Sequence, residues 1–120
     1  MITMGSNVRI NNGVFINQST NAEILIGSDV LIGPYCVMRS ADHVFSNRDA
    51  LIREQGHAGS PIVIDDDVWL ASQVTVLKGV HIGRGTVIGA HSVVTGDIEA
   101  YSVAFGAPAR VHRKRGEPSI

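Results

Sequence analysis

A parallel β-helix, an all-β rod of triangular coils, is the fold class this sequence predicts. Three observations point to it. Apolar triplets recur with a step of six residues, the third residue of each triplet is aliphatic or Met, and the composition is rich in glycine but poor in aromatics. The 120-residue chain holds 13 glycines against three Phe, two Tyr and one Trp. A core so short of rings must be built from narrow layers of β-branched side chains and tight turns.

The triplets run in order as "VRI" 8–10, "VFI" 14–16, "ILI" 24–26, "VLI" 30–32 and "CVM" 36–38. After a long interruption come "IVI" 62–64, "VWL" 68–70, "VTV" 74–76, "VHI" 80–82, "TVI" 86–88 and "SVV" 92–94, with a partial one near Ile98. A triplet is a very short strand, so its first and third side chains point one way and its middle one the other. The third positions, from Ile10 and Ile16 to Ile88 and Val94, are therefore inward. First positions are mostly Val, with Cys36, Thr86 and Ser92 where a corner narrows. The small residue after the triplet (Gly27, Gly33, Ala71, Gly83, Gly89) is read as permitting the turn. Three triplets make one triangular coil of about 18 residues, so the chain gives about four coils. A sandwich of hairpins would not keep so strict a step. The period does not fix the hand of the coil, and general chirality favours right-handed crossovers.

Residues 1–120 read as a single domain, with a loop at 39–61 and a short solvated C-terminal tail at 111–120. If each interruption is one corner loop, coils stack every third triplet. One face then shows Arg9, Leu31, Trp69 and Val87, a second Phe15, Val37, Thr75 and Val93, and the third Leu25, Val63 and His81. These faces are too apolar to stand fully in water. A homo-oligomer is expected, and a closed cyclic trimer suits a triangular prism.

A net charge of -1 gives no overall argument for nucleic acid or an anionic membrane, and neither is expected as a partner. A single cysteine, Cys36, excludes an internal disulfide framework and suits a reducing compartment. No segment reaches the length of a membrane span, and "MITMGSNVRI" lacks a signal-peptide pattern, so a cytoplasmic protein is expected.

The interruption "MRSADHVFSNRDALIREQGHAGSPIVI" carries two of the five histidines. A long loop thrown from a rigid scaffold is where functional side chains commonly sit. His43 stands at its root, where the coil below fixes it, and His57 near its return.

The stretches "IGSDVLIGPYCV", "PIVIDDDVWLASQVTVLKGVHIGRGTVIGAHSVVTGDI" and "YSVAFGAPARV" resemble the hexapeptide-repeat acyltransferases. The "DHVF…IREQGH…PIVI" block looks most like the sugar O-acetyltransferases of lipopolysaccharide, capsule and exopolysaccharide assembly. The resemblance implies a left-handed helix, against the general crossover preference. It also implies a trimer with acetyl-coenzyme A (acetyl-CoA) lying between neighbouring prisms. Position by position, it makes His43 the general base and Asn17 an acceptor contact. Trp69 then packs by the pantetheine arm, and Ser72 and Ala90 supply backbone contacts to it. Thr95, Arg113 and Arg110 fall near the nucleotide end. Asp42 and His57 are further acceptor-side candidates. Where relatives often read Thr-Lys-Asp this chain reads "TGD", so Gly96 removes a lysine from the nucleotide phosphates; Arg84, Lys78 or the "RKR" run could compensate. The extra N-terminal helical segment of the maltose and galactoside enzymes is not expected here.

Imidazole suits the base because it titrates near neutrality, and direct attack needs no acyl-enzyme. The resemblance implies that the acceptor is a hydroxyl of a sugar, sugar nucleotide or other sugar intermediate. Cys36, inward at a first position, reads as a small core residue. No metal is expected, because no two histidines are spaced to stack in neighbouring coils. The competing reading is a non-catalytic β-helix, a scaffold or carbohydrate-binding subunit.

Overall fold

The computed structural model describes residues 1–19 and 21–118. It is a left-handed parallel β-helix. The first coil comprises β1 (Ile2–Met4), β2 (Arg9–Ile10) and β3 (Phe15–Asn17), and the second β4 (Ile24–Ile26), β5 (Leu31–Ile32) and β6 (Val37–Arg39). A two-stranded hairpin, β7 (Ala41–His43) and β8 (His57–Gly59), then leaves the prism. The third coil is β9 (Ile62–Ile64), β10 (Trp69–Leu70) and β11 (Thr75–Val76). The fourth is β12 (His81–Ile82), β13 (Val87–Ile88) and β14 (Val93–Val94). A fifth turn begins with a bridge from Ile98 to Ile82 and ends in β15 (Ser102–Gly106), against which β16 (Ala109–Lys114) folds back antiparallel.

The registers reproduce the three expected faces. Face A stacks β1, β4, β9 and β12; face B stacks β2, β5, β10, β13, β15 and β16; face C stacks β3, β6, β11 and β14. Trp69 lies between Leu31 and Val87, Thr75 between Val37 and Val93, and Val63 between Leu25 and His81. Inward residues Ile24, Met38, Ile62, Leu70, Ile82, Ile88 and Val94 are fully buried, as is Cys36. Thr86 and Ser92 are buried too, and their hydroxyls donate to the carbonyls of Glu99 and Gly89.

Four expectations are corrected. Ile10 is 45% exposed, because the first coil has no coil beneath it. The triplet Ile2–Met4 was not anticipated, although it lies six residues before "VRI". The tail is not free from residue 111: Val111 to Lys114 belong to β16, and residues 119–120 lie outside the described residues. The small residues after the triplets are not the ones that turn. Positive φ falls two residues later, at Asp29, Tyr35, Gln73, Gly85 and His91. The small residues serve stacking instead: a Cβ at Gly33 would lie 2.7 Å from the Ala71 carbonyl carbon of the next coil.

No helix among the described residues is long and apolar enough to cross a membrane.

Candidate active site

Face C ends at the vertex where the chain turns toward face A, and the excursion starts there. Ser40 is fully buried and ties this vertex together. Its N–H donates to the Asn17 carbonyl (3.1 Å), its hydroxyl donates to the Ala22 carbonyl (2.8 Å), and its oxygen accepts from the Ser19 N–H (3.0 Å). A small excursion of the first coil and the root of the long one are thus pinned to each other.

From that root the chain forms a ribbon rather than an irregular loop. Ala41 pairs with Gly59, Asp42 with Ala58 and His43 with His57. The Ser60 N–H donates to Ser40 O and the Val44 N–H to Gly56 O, each at 2.9 Å. Directly opposed residues share one face of a ribbon. The imidazoles of His43 and His57 accordingly meet, with ring centroids 4.6 Å apart and planes tilted by 36°. Sequence spacing alone separated these two histidines; the antiparallel pairing of β7 with β8 brings them together. Parity sends Asp42 to the other side, where its carboxylate lies 3.9 Å from Lys78 Nζ. Among the described residues no carboxylate pairs with either ring of the two-histidine cluster. The tip is closed by Gln55, whose side chain donates to the carbonyls of Asn47 and Ala50 and accepts from the Asn47 N–H.

The donor-side candidates sit elsewhere. Trp69 is 49% exposed on face B, flanked by the exposed Leu31 and by Val87. Arg113 pairs with Val103 and Arg110 with Phe105 where β16 extends that face. Ser72 and Ala90 occupy consecutive coils at the vertex between faces B and C, where the His91 N–H donates to Ser72 O (2.9 Å). Thr95 is separate from these: it follows β14, at the vertex that carries Asn17 and the hairpin. One chain therefore holds Asn17, Asp42, His43, His57 and Thr95 along one vertex, and Trp69, Arg110 and Arg113 on the face opposite that vertex.

Two cations of the "RKR" run are engaged structurally. Lys114 Nζ donates to Ala100 O and pairs with Glu99, and Arg115 Nη1 reaches Asp67 Oδ2 and Gly85 O. Both fasten β16 to the prism. Gly96 faces open space, with nothing within 4 Å of a Cβ placed there.

The other histidines lie apart. The His81 ring meets Asp65 Oδ2 at 2.8 Å, and His112 stacks on Phe105 with centroids 3.6 Å apart. Among the described residues no three His, Cys, Asp or Glu side chains converge as metal ligands. Burial pushes the Cys36 thiol above its ordinary range, and its Sγ donates to Ala71 O at 3.0 Å.

Comparison with known proteins gives this scaffold its relatives. Residues 61–96 match the family described as bacterial transferase hexapeptide (six repeats). The chain is 37% identical over 115 residues to the galactoside O-acetyltransferase of Lactococcus lactis subsp. lactis strain IL1403, covering 92% of this chain and 54% of that one. A hexapeptide-repeat-containing acetyltransferase of Vibrio cholerae O1 biovar eltor, complexed with acetyl-coenzyme A, superposes with a TM-score of 0.86 at 36% identity, covering 97% and 61% of the two chains. A maltose O-acetyltransferase of Clostridium difficile 630 gives a TM-score of 0.71 at 31% identity over 98% and 68%. The chain spans about half the length of the curated relatives it matches.

Proposed function

The chain belongs to the bacterial transferase hexapeptide family, and from that premise we propose that it moves an acetyl group from acetyl-CoA to a hydroxyl of a sugar or sugar intermediate in surface polysaccharide assembly. The observation that carries the reading is the paired imidazoles at the root of a braced ribbon, held on a scaffold shared with the acetyl-CoA-bound relative.

In this reading the His43 imidazole takes the acceptor hydroxyl proton as its oxygen attacks the thioester carbonyl. A backbone N–H beside the groove donates to the oxyanion that forms. The intermediate then collapses, the C–S bond breaks, and the departing thiolate takes the proton back from His43. Asn17 contacts the acceptor, and holding both substrates together supplies much of the rate gain. Acetyl-CoA is a substrate here. Trp69 and Val87 offer its pantetheine arm an apolar wall, Ser72 and Ala90 offer backbone groups, and Arg110 and Arg113 approach its phosphates.

The opposition of the hairpin vertex and face B supports a site made from two copies. In a cyclic trimer the hairpin vertex of one prism meets face B of the next. Face C, with Phe15 52% and Val37 37% exposed, then turns to the axis and is covered.

The test is thiol release from acetyl-CoA against a panel of sugars and sugar nucleotides, with His43→Ala alongside. Wild-type turnover that falls by about two to four orders of magnitude in a variant of unchanged oligomeric state is expected. Undiminished turnover in that variant would remove His43 as the base.

A further inference from the structure

Arg39 was not singled out by its sequence, and its surroundings make it unusual. It is the last residue of β6, paired in register with Asn17 and followed by Ser40, which braces the hairpin root. Strand parity places it on the outward side with Asn17. The residue is half-buried, and its Nε is shut off from solvent with no hydrogen-bond partner among the described residues. Among the described residues it joins no ion pair either. Other cations do find carboxylates: Lys78 pairs with Asp42, Lys114 with Glu99 and Arg115 with Asp67.

A buried guanidinium N–H without an acceptor is costly and calls for a specific reason. Guanidinium cannot relieve that cost by losing its proton. Its Nε–Nη edge is shaped for two parallel bonds to a carboxylate or a phosphate. The group stands next to the acceptor contact Asn17 and four residues before His43. We propose that Arg39 forms an anion-binding subsite on the acceptor side, so that the acceptor is a sugar carrying a carboxylate or phosphate group. This rests on the acetyl-transfer reading for the identity of the acceptor pocket, but binding tests it without turnover.

The experiment titrates the intact protein with glucose, glucuronate and glucose 1-phosphate, followed through the histidine ring protons by NMR. At least one charged sugar binds tenfold or more tighter than glucose, and the two charged probes tell which anion is favoured. Arg39→Gln abolishes the difference, and Arg39→Lys, which keeps the charge but not the fork, restores only part of it. Light scattering on Arg39→Gln shows the wild-type assembly. No tenfold preference, or a preference that survives in Arg39→Gln, overturns the subsite. Dissociation of Arg39→Gln into smaller species overturns it too, since the counter-ion would then come from a second copy. If the binding preference stands while no acceptor releases thiol, acetyl transfer fails and the anion subsite remains.

Discussion

Cys36 shows at the scale of one residue how the scaffold separates chemistry from packing. A thiol with no exposed surface, held above its ordinary titration range by burial, is a poor nucleophile. Iodoacetamide at neutral pH is expected to label it only after unfolding, and Cys36→Ala is expected to keep turnover. Labelling of the folded protein with loss of activity would point to an acyl-enzyme instead. Gly96 is the opposite case, a position with space to fill. A Cβ there meets no atom within 4 Å and needs no left-handed backbone. Gly96→Lys is expected to lower KM for acetyl-CoA about two- to fivefold, the worth of one exposed charge pair, with the gain fading in high salt. An unchanged KM would mean that the nucleotide phosphates lie elsewhere.

At the scale of the element, coil-on-coil contact decides which residues are indispensable. Gly33→Ala would push a methyl to 2.7 Å from one backbone atom and 2.9 Å from two more, and backbone cannot rotate aside. A loss of about 2 kcal/mol or more is expected, whereas Gly96→Ala should be close to neutral. Urea midpoints at one fixed protein concentration check the pair; equal midpoints would contradict the stacking role. The strands themselves were legible because a buried third position every six residues leaves a strong mark, and parity then set the faces on which Trp69 and His81 sit. The two hairpins were not, because antiparallel pairing breaks the six-residue step. "ADH" facing "HAG" and "SVAFG" facing "ARVHRK" became visible as strands only once the chain folded back. The glycines were read for turning because a sequence does not show what lies one coil away. His43 and Asn17 could be singled out from motif positions. Arg39 could not, since its interest is a missing partner, and only three dimensions reveal that.

At the scale of the whole molecule, the prism's two ends and three sides are unequal. Beyond β14 the rod is covered by β15 and β16, while Ile2, Met4 and Ile10 stay exposed at the other end. The proposed trimer uses the side faces instead. In the proposed reading, the base candidate on one vertex and the donor wall on the opposite face come from different copies. That arrangement has a quantitative consequence. His43→Ala destroys the base, and Trp69→Asp places a carboxylate in the donor's apolar path. Each homotrimer should be nearly inactive. Mixed one to one, unfolded and reassembled, three-quarters or so of the trimers would contain both variants. Each of these has one junction where an intact His43 faces an intact Trp69. About one quarter of wild-type turnover should therefore return. A site contained within one chain restores nothing on mixing, because no single chain then carries both residues.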